Sequence, residues 1–255
     1  MINAIAAQGY QVICCCRDKN RFSKSVDIDD AQIEVVEVDF LKSETLENIP
    51  KDISGAYYLM HSMSNSNDYA ESEKQCAINF LNYIEKTDCK HIIYLSGLAN
   101  EKELSEHLSS RFEVEKILMK CKVPATVLRA GIIIGSGSAS FEIIRDLVEK
   151  LPVMVAPKWL HTKCQPIGIA NVLDFLIFTL FKEEAYHKSF DIGCDDVLTY
   201  KEMLLEFAKI RGLKRKIFTV PVMTPKLSSY WLYFITSTSY NLASALVGSM
   251  KIEVV

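Results

Sequence analysis

Residues 2–17, Ile2-Asn3-Ala4-Ile5-Ala6-Ala7-Gln8-Gly9-Tyr10-Gln11-Val12-Ile13-Cys14-Cys15-Cys16-Arg17, carry the reading that decides the fold. Alanine and isoleucine through Gln8 favour a short helix that Gly9 ends. The apolar run Gln11 to Cys16 that follows has the composition of a strand buried on both faces, closed by Arg17. A helix leading into a buried strand is the second half of a βαβ unit. The first half, a strand and a glycine-rich turn, is expected just upstream of Met1 and is not in the sequence. Lys251 to Val255 reads as the start of a strand, so the chain looks cut at both ends.

Composition narrows the alternatives. At 255 residues with 49% apolar side chains, the chain can bury a large core and is not disordered. A net charge of -3 and a pI near 6.0 leave no basic footprint, which excludes a nucleic-acid binder of the usual kind. Lys214, Arg215 and Lys216 read as a solvated turn. The eight cysteines include no Cys-x-x-Cys pair, and Cys14 to Cys16 alternate between strand faces, so they cannot form one tetrahedral metal set. They read as small apolar residues of a protein in a reducing cytoplasm, with no signal peptide before the first helix and no metal. The stretch Tyr230 to Val247 is interrupted by Thr236 to Ser239, Asn241 and Ser244. It is expected to be a buried or interfacial helix, capable at most of weak peripheral membrane or protein contact, and not a membrane span.

Outward from residue 17, apolar runs alternate with helical patterns. The expected strands are Ile33 to Val38, Ala56 to His61, His91 to Ser96 and Ala125 to Ile134. The expected helices between them are Ser43 to Ile49, Asp68 to Lys86 and Lys102 to Cys121. This alternation predicts an α/β fold with a doubly wound parallel sheet. Beyond Gly137 come helices Phe141 to Lys150, Ala170 to Phe181 and Tyr200 to Arg211, short strands Ser189 to Ile192 and Ile217 to Val220, and one long helix, Pro225 to Met250. Residues 1–150 are therefore expected to form the sheet domain. Residues 151–255 form a small C-terminal α/β lobe interleaved with it.

Ordered motifs sit at the strand ends: Arg17, Asp39-Phe40, His61-Ser62-Met63, Tyr94-Leu95-Ser96-Gly97, Leu128-Arg129-Ala130-Gly131 and Gln165-Pro166-Ile167. In this order they resemble the atypical and extended short-chain dehydrogenase/reductases, over nearly the whole chain. The likeness is to NmrA-like, NAD(P)H-binding or nucleoside-diphosphate-sugar-epimerase-like proteins. It implies a Rossmann-like fold, here without the usual first strand and Gly-rich turn. It also implies an NADP-dependent oxidoreductase or epimerase, with NAD possible, acting on a small carbonyl, alcohol or sugar-nucleotide-like substrate. A non-catalytic NAD(P)H sensor or assembly protein is the alternative.

The resemblance assigns roles residue by residue. Arg17 supplies a fork of donors for a 2'-phosphate, and Asp39 is placed at the adenine amino group. A carboxylate ending a strand also serves as a helix cap. Phe40, Met60, His61 and Ser62 pass under the cofactor, largely through backbone, and Gly131 and Ile132 follow the sixth strand beside the nicotinamide. Ser96 holds the substrate oxygen. In place of the usual Tyr and Lys four residues apart, the chain offers His107 and Arg111 on one helical face. The spacing of Arg111 and Glu115 allows an exposed i, i+4 ion pair as the bland alternative. Trp159, His161 and Gln165 fall on the substrate side. Without a central strand, unpaired backbone is expected on both neighbours, and with it instability and weak cofactor binding, unless those neighbours close the gap.

Overall fold

The structure, a computed structural model, describes residues 1–22, 32–61, 69–98, 106–220, 225–236 and 239–253. Its first half comprises α1 (Ile2–Ala6), β1 (Val12–Cys16), β2 (Ile33–Glu37), β3 (Gly55–Tyr58), α2 (Tyr69–Ile84), β4 (His91–Gly97), α3 (Glu106–Leu118) and β5 (Ala125–Ala130). The second half adds β6 (Ile133–Ile134), α4 (Ala139–Lys150), β7 (Val153–Pro157), β8 (Lys163–Cys164), β9 (Ile167–Gly168), α5 (Ile169–Thr179), β10 (Lys188–Ile192), β11 (Leu198–Thr199), α6 (Tyr200–Ile210), β12 (Lys216–Val220), α7 (Pro225–Ile235) and α8 (Tyr240–Ser249).

The centre is a parallel sheet in the order β10-β5-β4-β3. The inner strands β4 and β5 are largely apolar on both faces because helices cover both, whereas the edge strand β10, Lys188 to Ile192, is mostly exposed. On one face Tyr58, Ile92, Tyr94 and Val127 pack on Phe80 and Ile84 of α2 and on Val114 and Leu118 of α3. On the other, Ile93, Leu128 and Ile192 pack on Val172 and Leu176 of α5. The doubly wound α/β fold read from the sequence is the fold observed.

β1 and β2 form a separate parallel pair, in register from Val12↔Ile33 to Cys16↔Glu37. Gly9, at φ +87°, turns the chain out of α1 toward β1. Among the described residues no strand pairing joins β1 to β3. Between them lies a cavity of about 1030 Å³ whose lining includes Val12 to Cys15, Gly55 to Tyr58 and parts of α1 and α2. The expected interruption of the sheet is present, and its neighbours have not closed it.

Three expectations need correction. The strand Ala125 to Ile134 is two strands, because Gly131 packs so closely on the Gln165 carbonyl that a Cβ would collide with it. The long helix from Pro225 to Met250 is instead α7 and α8. Thr236 ends the first by turning its hydroxyl back to the Leu232 carbonyl at 2.7 Å, a bond that competes with helix propagation. Residues 250–252 form a turn, with the Ile252 amide donating to Ser249 O at 3.2 Å, and no strand runs through residue 253. Among the described residues, no helix is long and apolar enough to cross a membrane.

Candidate functional site

Two groups of polar residues stand at the carboxyl edges of the strands, where open α/β sheets bind ligands. At the first, the Val38 amide donates to Cys16 O at 2.8 Å, so β1 and β2 stay paired up to Arg17 and Asp39. Arg17 is exposed, and no carboxylate among the described residues pairs with it. One Asp39 oxygen accepts the Leu41 amide at 3.1 Å, the capping role open to it in the sequence; among the described residues the other oxygen takes no such bond. Cys76 of α2 senses both charges. Burial foremost, then Asp39 and Glu73, push its thiol up to about 11 while Arg17 pulls the other way.

Phe40 follows Asp39 and packs on Phe80 with ring centroids 6.1 Å apart. Its carbonyl accepts from the Asn79 amide at 2.8 Å. Met60 packs on the same apolar cluster, and His61 is exposed just beyond it. Ser62 lies outside the described residues.

The second group surrounds Ser96, which is buried near the end of β4. Tyr94 lies on the same strand face and donates to the Arg111 carbonyl at 3.3 Å. Burial pushes its phenol up to about 12, opposed by the Arg111 guanidinium and a hydrogen bond with Ser96. Arg111 reaches from α3 to Gly97, where an added Cβ would meet its Cδ and Nη1 at 3.6 Å. Its Nε is buried and has no hydrogen-bond partner among the described residues. Burial lowers the Arg111 pKa, and Tyr94 and Glu73 oppose that.

Glu73 and Ser110 complete this group through a short hydrogen bond between buried side chains. Neither was expected from the sequence reading, yet a signal exists. Glu73 occupies the stripe it shares with Ala77, Phe80 and Ile84, a charge where helical spacing calls for an apolar residue. The Arg111–Glu115 pair that the spacing allowed as an alternative is not formed. Glu115 instead holds Arg129 by two bonds of 2.6 and 3.0 Å and accepts the Ser189 hydroxyl at 2.8 Å. His107 stands on α3 one turn before Arg111; its side chain is outside what the structure describes.

The remaining residues divide. Gly131, Ile132 and Gln165 are brought together: Ile132 O accepts the Ile167 amide at 2.9 Å, and the Gln165 side chain donates to Cys194 O at 2.5 Å. Trp159 meets Tyr200 edge-on at 5.9 Å, with its buried Nε1 unpartnered among the described residues. His161 is 3.3 Å from the Thr219 hydroxyl. Among the described residues, no hydrogen bond or ring contact in the structure ties Trp159 or His161 to Ser96 or Arg111.

A sheet with helices on both faces and polar groups at its carboxyl edge defines a Rossmann-like α/β protein. No protein-family model and no curated sequence matches the chain; the likeness is structural. It is similar to a nucleoside-diphosphate-sugar epimerase from Staphylococcus aureus (TM-score 0.75, 12% identity, 98% of this chain, 84% of that one). It is also similar to an NADPH-dependent quinone oxidoreductase from Escherichia coli solved with NADPH (0.73, 16%, 98% and 83%). A third is a Citrobacter triphenylmethane reductase solved with NADP(H) (0.74, 14%, 98% and 84%).

Proposed function

We propose that the chain binds NADP along this edge and serves as an oxidoreductase for a small carbonyl or alcohol, or for a sugar-nucleotide-like substrate. The observation that carries the reading is a pair of uncommitted donors: the exposed Arg17 fork at one end and the buried, unpartnered Arg111 Nε at the other. These residues fit the group. Arg17 would hold a 2'-phosphate, the second Asp39 oxygen the adenine amino group, and Arg111 Nε a ribose hydroxyl. The nicotinamide, when bound, supplies or accepts hydride.

The chain's own residues supply the rest. Ser96 orients the substrate oxygen, and His107 moves a proton to or from it. Glu73 and Ser110 fix the first turns of α3 so that Arg111 stays at Gly97. Phe40, Met60, His61 and Ser62 line the adenosine side. Gly131 and Ile132 form the nicotinamide wall, with Gln165, Trp159 and His161 toward the substrate. The eight free thiols support a reducing, cytoplasmic setting.

A second reading, cofactor binding without turnover, is favoured by one observation: Ser96 is only 3% exposed. The decisive experiment follows NADPH absorbance with a panel of quinones and small carbonyls, in the native chain and in Ser96→Ala and His107→Ala. Oxidation that both variants lose is the result expected. NADPH binding with no oxidation of any substrate would instead assign the sensor role, and neither binding nor turnover would refute both.

A further inference from the structure

The roles assigned above leave unused the outer face of the two-stranded sheet β7–β12. The strands run parallel, with Lys216 opposite Val153 and Phe218 opposite Val155. Their inward residues, Met154, Ala156 and Ile217, join the apolar cluster that includes Leu147 and Val148 of α4 and Leu204 and Ala208 of α6. Alternation along each strand then sends Val153, Val155 and Phe218 outward, 51%, 49% and 58% exposed. A solvated sheet face calls for polar residues at such positions. Adjoining apolar side chains there mark a surface of contact.

Basic residues border the face where both strands begin. An open cavity of about 500 Å³ is lined by Lys209, Lys214, Arg215 and Lys216 together with Val153, and by no carboxylate among the described residues. The carboxylates nearby answer other cations: Glu206 lies 3.4 Å from Lys209, and Glu149 lies 3.1 Å from Arg211. Among the described residues, none pairs with Lys214, Arg215 or Lys216. Arg215 spends its donors on backbone, Nε on Val148 O at 2.5 Å, Nη1 on Lys214 O at 3.1 Å and Nη2 on Glu149 O at 3.4 Å. It contributes charge but no open fork. Lys214 and Lys216 are exposed.

We propose that this face docks on an anionic lipid bilayer, with Val153, Val155 and Phe218 entering the headgroup layer and Lys214 and Lys216 meeting lipid phosphates. Apolar side chains beside lysines are the composition of an interfacial surface. The form of the charge favours lipid over an acidic polypeptide. Lysine is a point charge on a mobile stem and suits phosphates that reorient, whereas fixed carboxylates are matched by an arginine fork, and here that fork is committed. A chain of net charge -3 is repelled as a whole by an anionic bilayer, so the local excess of cations sets which face approaches. The inference is independent of the cofactor reading.

The probe is a vesicle of equal parts phosphatidylcholine and phosphatidylglycerol, sedimented with the full chain at low salt. Pure phosphatidylcholine vesicles and soluble polyglutamate are the controls. The chain should sediment with the mixed vesicles, stay behind with the neutral ones, and be released by added salt. Lys214→Gln with Lys216→Gln should lower the partition coefficient about 20- to 30-fold, since each lysine at an anionic surface contributes about fivefold. Phe218→Ser should lower it about tenfold by removing apolar insertion. These positions are exposed, and unchanged urea unfolding shows that the fold is kept. No sedimentation with mixed vesicles, equal sedimentation with neutral ones, or binding that both variants retain overturns the proposal. Binding of polyglutamate without binding of vesicles assigns the face to an acidic protein and overturns it as well.

Discussion

Acidification should destabilise this chain through His91, a residue remote from the polar edge groups. His91 begins β4 with 0% of its surface exposed. The Phe181 amide donates to its Nδ1 at 2.9 Å, which assigns the ring proton to Nε2. That proton is donated to the Thr126 hydroxyl at 2.9 Å, which in turn donates to Ala185 O at 2.7 Å. The neutral ring satisfies every partner. A second proton on Nδ1 would face the Phe181 N–H, donor against donor. Burial accordingly pulls the pKa from 6.5 to about 4.

Above pH 6.5 the ring is neutral folded and unfolded, and its contribution is complete. As pH falls from 6.5 to about 4, the unfolded chain takes up a proton that the folded one refuses. Stability then drops by about 1.4 kcal/mol per pH unit, about 2 kcal/mol by pH 5 and about 3 kcal/mol by pH 4. Against a total of about 5–15 kcal/mol, that is a large share. Urea denaturation of the native chain and of His91→Asn at neutral pH and near pH 5 measures it. Asparagine keeps an acceptor for Phe181 and does not titrate. The variant should be the less stable at neutral pH, and the gap should narrow by about 2 kcal/mol near pH 5. Parallel stability curves for the two proteins would refute the reasoning.

Other substitutions probe the packing around the site. Glu115→Gln removes the carboxylate that ties Arg129 of β5 and Ser189 of β10 to α3. It should cost about 2–3 kcal/mol in urea unfolding, part of it restored by adding Arg129→Met; a loss under about 0.5 kcal/mol would mean the pair is solvated. Gly131→Ala would drive a Cβ into the Gln165 carbonyl, and should cost about 1–3 kcal/mol because that neighbour is backbone and cannot rotate away. An unchanged Tm would place Gly131 away from Gln165.

What the sequence discloses depends on how far apart the determinants lie. The runs Gln11 to Cys16 and His91 to Ser96 are legible as strands because a parallel strand covered on both faces needs apolar residues throughout. Arg17 and Asp39 are legible because each closes such a run. Arg111 is named from its helix, but its surroundings are not legible there. Its i+4 neighbour Glu115 is drawn away by Arg129, fourteen residues on in sequence, and Glu73 meets Ser110 across thirty-seven. The break between α7 and α8 depends on one hydroxyl choosing a backbone carbonyl, a competition that hydrophobic spacing does not register.

The central claim is that Arg17 marks the adenosine end of an NADP site along the sheet edge. Calorimetric titration of NADPH and NADH into the native chain and into Arg17→Ala tests it most directly, because the ratio of affinities is independent of their absolute strength. Charge-assisted bonds to a 2'-phosphate are worth about 1.5–3 kcal/mol, so NADPH should bind about 10- to 100-fold more tightly than NADH. In Arg17→Ala that preference should collapse toward equality while NADH affinity holds. Equal affinities in the native chain, or a preference that survives the substitution, would contradict the account.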